Sequence, residues 1–319
     1  MRCAGAPAMS LDLRLTTGCL VVALTGVAFS AEIYARKMEI VKTPIGRATV
    51  FRDSVAITHE STLLVSRRAM IQEQAGWAVL SESVSIYTPE ARLAADSVVY
   101  DFKGKKATML APVRRQVVVR QDSIVIRAPE VVYLITERLF QAPQGLELAT
   151  ESGSYILTGA QGSYDLNHRV GVVDSAPVLT IERGEELMRV TARRMGYQES
   201  GAVVRAEDKV RVRSGVSLLS CDSAMFYPNR DSGFAWGGAV VEDSAGRAEG
   251  DTVVFLVSQG ALRWVALSGQ TKGKYRTEEG DTVLVQGTGI SVAITNGQIE
   301  RIEVAELTFG QLIRRAIKK

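Results

Sequence analysis

The chain has 319 residues, 46% hydrophobic and 6% aromatic, with 38 Lys and Arg against 35 Asp and Glu, for a formal net charge of +3. A charge balance this close to neutral gives no general field for nucleic acid, and aromatics this sparse give no base-stacking platform. Two histidines and three cysteines match no zinc spacing, no catalytic triad and no nucleophile elbow, so neither metal nor cofactor is expected.

Residues 1–30 read as an export signal. Arg2 and Arg14 precede an uncharged run from Leu15 to Phe29, and Ala28-Phe29-Ser30 stands before Ala31 as a cleavage site. The run is shorter than the ~20 residues that span a bilayer; retention as an inner-membrane anchor is the alternative. Thr16-Thr17-Gly18 before Cys19 is a poor lipoprotein match. Cleavage near Ser30–Ala31 removes Cys3 and Cys19 and leaves Cys221 without a disulfide partner in an oxidising compartment. Cys221 is then either a small packed residue or a reactive thiol.

Residues 31–306 read as one domain, with no Pro- or Gly-rich break. After a lead-in over 31–63, in which Ala48–Thr58 alternates as a strand, one pattern recurs: apolar, skip, small, polar, skip, apolar, skip, aromatic. Leu93, Ala95, Asp96, Val98 and Tyr100 fill it, as do Leu219, Cys221, Asp222, Ala224 and Phe226, and Ala248, Gly250, Asp251, Val253 and Phe255. Ile126, Ala128, Pro129, Val131 and Tyr133 fit with proline in the polar place; looser copies end at Tyr164 and at Met195 and Tyr197. The series opens at Ile71 and closes at Val292, with anchors at 71, 100, 133, 164, 197, 226, 255 and 292. A recurrence of about 30 residues marks a repeat architecture.

Alternation on both sides of the small residue is strand periodicity. The apolar phase slips by one at Ala95–Asp96, which would turn the following side chains outward; a bulge or corner there restores them to the same face. Second apolar segments such as Ala107–Val113 and Phe234–Val241 follow across polar turns, among them Lys103-Gly104-Lys105, Asn167-His168-Arg169, Ser200-Gly201 and Asn296-Gly297. Gln121-Asp122 reads as a hairpin turn between Val117–Val119 and Ile124–Ile126. Arg114, Arg115, Arg120 and Arg127 are solvated strand faces or contacts for anionic headgroups. Arg183–Glu186 and Glu278-Glu279 are charged turns. Residues 307–319 differ: Leu312, Ile313, Ala316 and Ile317 have helical spacing before a basic end, which reads as a tail or a short helix.

The recurring Asp96, Asp222 and Asp251 invite an acid–base reading, but a residue demanded once per repeat is structural, bonding backbone at the corner. His59 and His168 read as surface residues. The aromatic place has two compatible readings: core filling, or the lining of an apolar groove left open between two sheets. The lining candidates are Leu93, Val98, Tyr100, Val131, Tyr133, Tyr164, Met195, Tyr197, Phe226, Val253 and Phe255.

Ala95-Asp96-Ser97-Val98-Val99-Tyr100 and Gly250-Asp251-Thr252-Val253-Val254-Phe255 resemble the repeats of the OstA/LptA/LptC family of periplasmic lipopolysaccharide-transport proteins. The likeness covers roughly Val50 to Glu306; returns reading Ala-Pro-Val (Ala111–Val113, Ala176–Val178) or Gly-Gly-Ala-Val (Gly237–Val240) depart from it. The resemblance implies an all-β, elongated, solenoid-like jelly roll of two facing, twisted antiparallel sheets. It implies a non-catalytic periplasmic carrier of lipopolysaccharide, holding lipid A acyl chains in its groove. Implied partners are related jelly-roll domains of an inner-membrane ATP-driven transporter and an outer-membrane barrel, with head-to-tail self-association of its edge strands. Two alternatives stand beside this: an inner-membrane-anchored, LptC-like member of the same system, or an extracellular β-helix that binds or cleaves polysaccharide.

Overall fold

The computed structural model of the chain describes all residues except 1–9, 17–18, 26–29, 45, 112–115, 184–185, 199–202, 259–260, 278–279, 296–297 and 315–319. Side chains are described from Ala31 onward, without those of 183, 186, 261 and 298. Arg2, Cys3, Arg114, Arg115, Ser200-Gly201, Glu278-Glu279 and Asn296-Gly297 therefore lie outside the described residues, as do the side chains of Arg183 and Glu186. Contacts divide the chain into two compact units, Met1–Leu148 with Ser163–His168, and Ala149–Gly162 with Arg169–Lys319; no break in composition marks that division.

The fold is all-β. Strand follows strand through short hairpins, and the described strands pair antiparallel, for example Val203–Ser214 with Ser217–Tyr227 and Gly246–Ser258 with Ala261–Arg276. The described residues hold no α-helix, only a 3-10 turn at Pro228–Arg230. Antiparallel pairing rules out the parallel β-helix form of the polysaccharide reading. In the uncleaved chain Ser10–Thr16, Cys19–Thr25 and Ser30–Ala35 also pair antiparallel.

The phase slip seen in the sequence is a corner. Strands of the recurring pattern alternate with return strands, and at each corner the return strand carries one residue more than its neighbours. Arg52 to Val55 lies opposite Arg68 to Ser66, and Ser81 to Val84 opposite Ser97 to Ala95. The same offset separates Glu207/Val210 from Ser223/Cys221, Trp236/Ala239 from Thr252/Gly250, and Ser268/Thr271 from Gly289/Gly287. The extra residue is accommodated by left-handed backbone: Asp53 and Ser54 at φ 63°, Glu82 and Ser83 at 67° and 65°, Asp208 and Lys209 at 64° and 55°, Gly237 and Gly238 at 84° and 61°. Such pairs bend and twist a strand, so each long strand contributes one half to each of two layers and keeps its apolar side chains between them.

The recurring aspartates sit at these corners as expected. Asp251 Oδ2 accepts a hydrogen bond from the Gln270 amide at 3.2 Å. Asp222 packs against the backbone of Gly237, where an added Cβ would fall 2.5 Å from its Oδ2. In the middle of the chain proline does the same work by interruption. Pro129 separates Ile124–Ala128 from Glu130–Leu134, and Pro177 precedes Val178–Arg183 after Val170–Asp174. Lacking an amide proton, proline cannot continue a ladder, so long bent strands become pairs of short ones.

The chain end corrects the helical expectation. Phe309–Ile313 is a strand paired with Thr282–Gln286, with Phe309, Leu312 and Ile313 exposed. Strand Thr282–Thr295 pairs with Gln298–Ala305 only from Gly289 onward. Its first half still needs backbone partners, and the terminal segment supplies them by extending. Residues 315–319 lie outside the described residues.

Gly237→Ala should test the corner. Its left-handed backbone and the Asp222 contact make a loss of about 2 kcal/mol the expected outcome in urea unfolding. Asp222→Gly in the same chain should recover part of that loss, by removing the clash but not the backbone strain.

Candidate functional site

The candidate site is the apolar interior of each unit. In the first unit, register aligns three inward rows. Ile33, Ile57, Leu64, Ile86, Leu93, Val119 and Ile126 lie opposite one another in one layer. Phe51, Ala69, Leu80, Val98, Met109 and Val131 form a second row, and Ile71, Ala78, Tyr100, Ala107, Tyr133 and Phe140 a third. In this third row Ala78 and Ala107 give the tyrosine rings room, and Tyr133 packs ring to ring on Phe140 at 4.6 Å. Tyr164, also of this unit, is buried.

The second unit repeats the arrangement. Gly171, Tyr197, Val204, Phe226, Gly233, Phe255 and Val265 make one row. Val173, Met195, Ala206, Ala224, Ala235, Val253 and Leu267 make the next. Past the corner, Leu179, Val190, Val212, Leu219, Val241 and Ala248 line the facing layer. Gly233 is required by its neighbour: a Cβ there would run into the Phe255 ring.

All eleven lining candidates point into these interiors and are buried, from 0% exposed at Met195 to 9% at Tyr197. They are distributed between the units: Leu93, Val98, Tyr100, Val131, Tyr133 and Tyr164 in the first, Met195, Tyr197, Phe226, Val253 and Phe255 in the second. The structure thus places them as buried side chains of the two interiors. Between the layers of the second unit a cavity of about 10 Å³ is lined by residues of both, among them Met188, Val190, Val212, Ala224, Phe226 and Phe255. That space holds about one water and no acyl chain.

Opposite the corners, a few polar contacts join the layers. Ser214 Oγ accepts from the Leu262 amide at 2.9 Å, and the Tyr155 hydroxyl donates to the Pro228 carbonyl at 3.3 Å. In the first unit His59 Nδ1 and the Tyr100 hydroxyl lie 3.0 Å apart, with the imidazole edge-on to Phe102 at 5.3 Å. This corrects the surface reading of His59, which is 5% exposed. His59 follows Val55 and Ile57 on the inner face of Gly46–His59, where Tyr100 and Phe102, distant in the sequence, cover it. Burial holds the imidazole below its ordinary pKa, aided by the Lys105 charge and opposed by Glu60. Burial likewise pushes the Tyr100 hydroxyl well up. His168 stays in its surface turn, with Nδ1 2.8 Å from Asp165 Oδ2.

Cys221 takes the small packed reading: it is buried, and burial with the nearby Asp222 charge pushes its thiol up to about 12. Among the described residues, no three His, Cys, Asp or Glu side chains gather as a metal site, and no helix is long and apolar enough to cross a membrane. The anchor reading missed one surface. Phe234 and Trp236 stack on the outer face at 5.5 Å, beside exposed Val254 and Leu256. They flank the core residue Ala235 by one position on either side, a signal the search for anchors passed over.

No family model matches the chain, and no curated protein matches it. Among solved structures it is similar to the crystal structure of LptH, the LptA homologous periplasmic component of the conserved lipopolysaccharide transport device from Pseudomonas aeruginosa. That likeness covers 36% of this chain and 82% of that one, at 15% identity and a TM-score of 0.32. The strand pairing described above, not this likeness, fixes the fold class as antiparallel all-β.

The buried His59 predicts an acid-side loss of stability. Its folded pKa is depressed, so below about pH 6.5 the unfolded chain takes up a proton that the fold holds off. Stability from this group is complete above that pH and falls as pH drops toward the folded value. Melting temperatures at pH 7.5 and 5.5 should therefore diverge more in the parent than in His59→Gln, which can keep a hydrogen bond to Tyr100.

Proposed function

We propose that the chain is exported, cleaved near Ser30–Ala31, and carries lipopolysaccharide through the periplasm without catalysis, taking lipid A acyl chains between its layers. The observation that carries this reading is the run of uninterrupted apolar rows, Tyr197 to Phe255 and Met195 to Val253 in the second unit, with no charged side chain within them. Backbone joins the two layers at the corners. At the opposite side the polar ties are single hydrogen bonds such as Ser214 to Leu262, each worth roughly 0.5–1.5 kcal/mol net. Parting the layers there exposes two apolar walls, and a bundle of acyl chains replaces the area lost between them. The ties are the gate and the corners the hinge. Related jelly-roll domains of an inner-membrane transporter and an outer-membrane barrel complete the path, as the repeat's family resemblance implies.

A second reading is favoured by one observation: the Phe234–Trp236 stack on the outer face, with Phe234 exposed and Trp236 half-buried. A flat aromatic pair suits the apolar faces of sugar rings, and would make the protein a polysaccharide binder.

Photocrosslinking in cells separates the two. A photoreactive phenylalanine analogue placed singly at Tyr100, Tyr164 and Phe255 should yield lipopolysaccharide adducts, and the same analogue at Phe234 should not. No adduct from the three interior positions, with stable periplasmic protein, would overturn the carrier reading; a glycan adduct at Phe234 would then establish the second.

A further inference from the structure

The second unit carries a concentration of positive charge that the carrier reading does not use. Strand Val203–Ser214 buries Val204, Ala206, Val210 and Val212 and turns Arg211 and Arg213 outward. Its neighbour Glu186–Thr191 buries Met188 and Val190 and turns Arg189 and Thr191 to the same outer face. Register sets Arg189 directly opposite Arg213, and Thr191 opposite Arg211. Side chains so opposed have Cβ atoms about 4.5–5.5 Å apart, a distance at which like charges repel. Lys209 adds a further cation from the left-handed corner, at φ 55°.

The neighbourhood does not neutralise this face. Across from Arg211 and Arg213 on the other side stand Ser220 and Leu218, and across from Arg189 stands Thr180. Arg193 is paired with Asp208 at 2.9 Å and Arg194 with Asp174 at 3.4 Å. Glu182, on the outer face two residues beyond Thr180, makes no ion pair with Arg189. Arg189, Lys209, Arg211 and Arg213 make no ion pair with a carboxylate among the described residues, and four cations less the exposed Glu182 leave a local excess of three positive charges. Beside the Arg189–Arg213 pair the surface is concave: Asp174, Arg193, Arg194, Lys209 and Arg211 border an open hollow of about 1020 Å³ with Thr191.

We propose that this face binds a ligand bearing more than one phosphate. Guanidinium groups match phosphate oxygens in bidentate pairs, and a pair of arginines forced together becomes favourable once an anion bridges them. Arg189 with Arg213 forms one seat, and Arg211 with Lys209 a second, about 7 Å along the strand for residues two apart. That spacing suits non-adjacent phosphates on one molecule, with each flexible cationic side chain reaching its own group. The inference does not rest on the carrier reading, since it concerns the outer face and needs no acyl chain.

The test is calorimetric titration of the full chain with inorganic tripolyphosphate, beside sedimentation with phosphatidylcholine vesicles with and without cardiolipin, whose headgroup carries two phosphates. Saturable binding to at least one phosphate probe is expected, weakened by salt. Arg189→Gln with Arg213→Gln should weaken it by about tenfold or more. The charge-matched control, Arg247→Gln with Lys272→Gln on another surface, should leave it nearly unchanged. Binding to tripolyphosphate but not to vesicles identifies a soluble phosphorylated ligand; binding to cardiolipin vesicles identifies a headgroup with two phosphates. No binding to either probe by folded protein, or equal weakening in the control, overturns the proposal.

Discussion

The corner governs the structure. A strand that ran straight would place all its inward side chains on one sheet, and the repeats would have no second wall. One extra residue on each long return strand, with left-handed backbone at pairs such as Glu82-Ser83 in the first unit and Gly237-Gly238 in the second, folds the long hairpins of each unit into two layers. The apolar rows on either side then face each other. Because neighbouring strands share the offset, each corner braces the next: the side chains of Asp222 and Asp251 occupy space beside Gly237 and Gly269, where a Cβ would collide with them. The strain of left-handed Asp, Ser, Glu and Lys persists because the ladders on both sides fix the backbone.

From that constraint follows the character of the interior. Its walls are held together by burial of large side chains, each worth roughly 1.5–3 kcal/mol, while the ties across the open side are few. Tyr100 meets His59, Tyr155 meets Pro228 and Ser214 meets Leu262. Directional contacts thus close the layers, and non-directional contacts fill them. An interior filled by non-directional contacts can exchange one apolar occupant for another without leaving polar groups unsatisfied. This is the physical basis of the carrier reading, and it is why the buried aromatics serve both as core and as prospective walls.

Much of this was legible in the residues. The phase slip at Ala95–Asp96, at Cys221–Asp222 and at Gly250–Asp251 locates corners that the registers confirm. The equivalence of Tyr100, Phe226 and Phe255 followed from the same alternation, while which strand face turns inward came from the structure. What was not legible came from partners distant in sequence. Glu82 and Ser83 carry no glycine to advertise positive φ. His59 lies in a polar stretch and is buried only because Tyr100 and Phe102 fold over it. Leu312 and Ile313 have helical spacing, yet Thr282–Gln286 needed a backbone partner and drew the segment into a strand. The facing arginines Arg189 and Arg213 are 24 positions apart in the chain, and only strand register brings them together.

The most direct measurement uses the buried methionines as reporters, with no substitution in the core. Met188 and Met195 are fully buried in the second unit, whereas Met225 is partly exposed. In protein carrying methyl-¹³C methionine, titration with lipopolysaccharide should shift the Met188 and Met195 methyl signals. It should also give nuclear Overhauser contacts between those methyls and acyl-chain methylene protons. Shifts confined to Met225, with the Met188 and Met195 signals unmoved at saturation, would contradict an interior that opens to lipid.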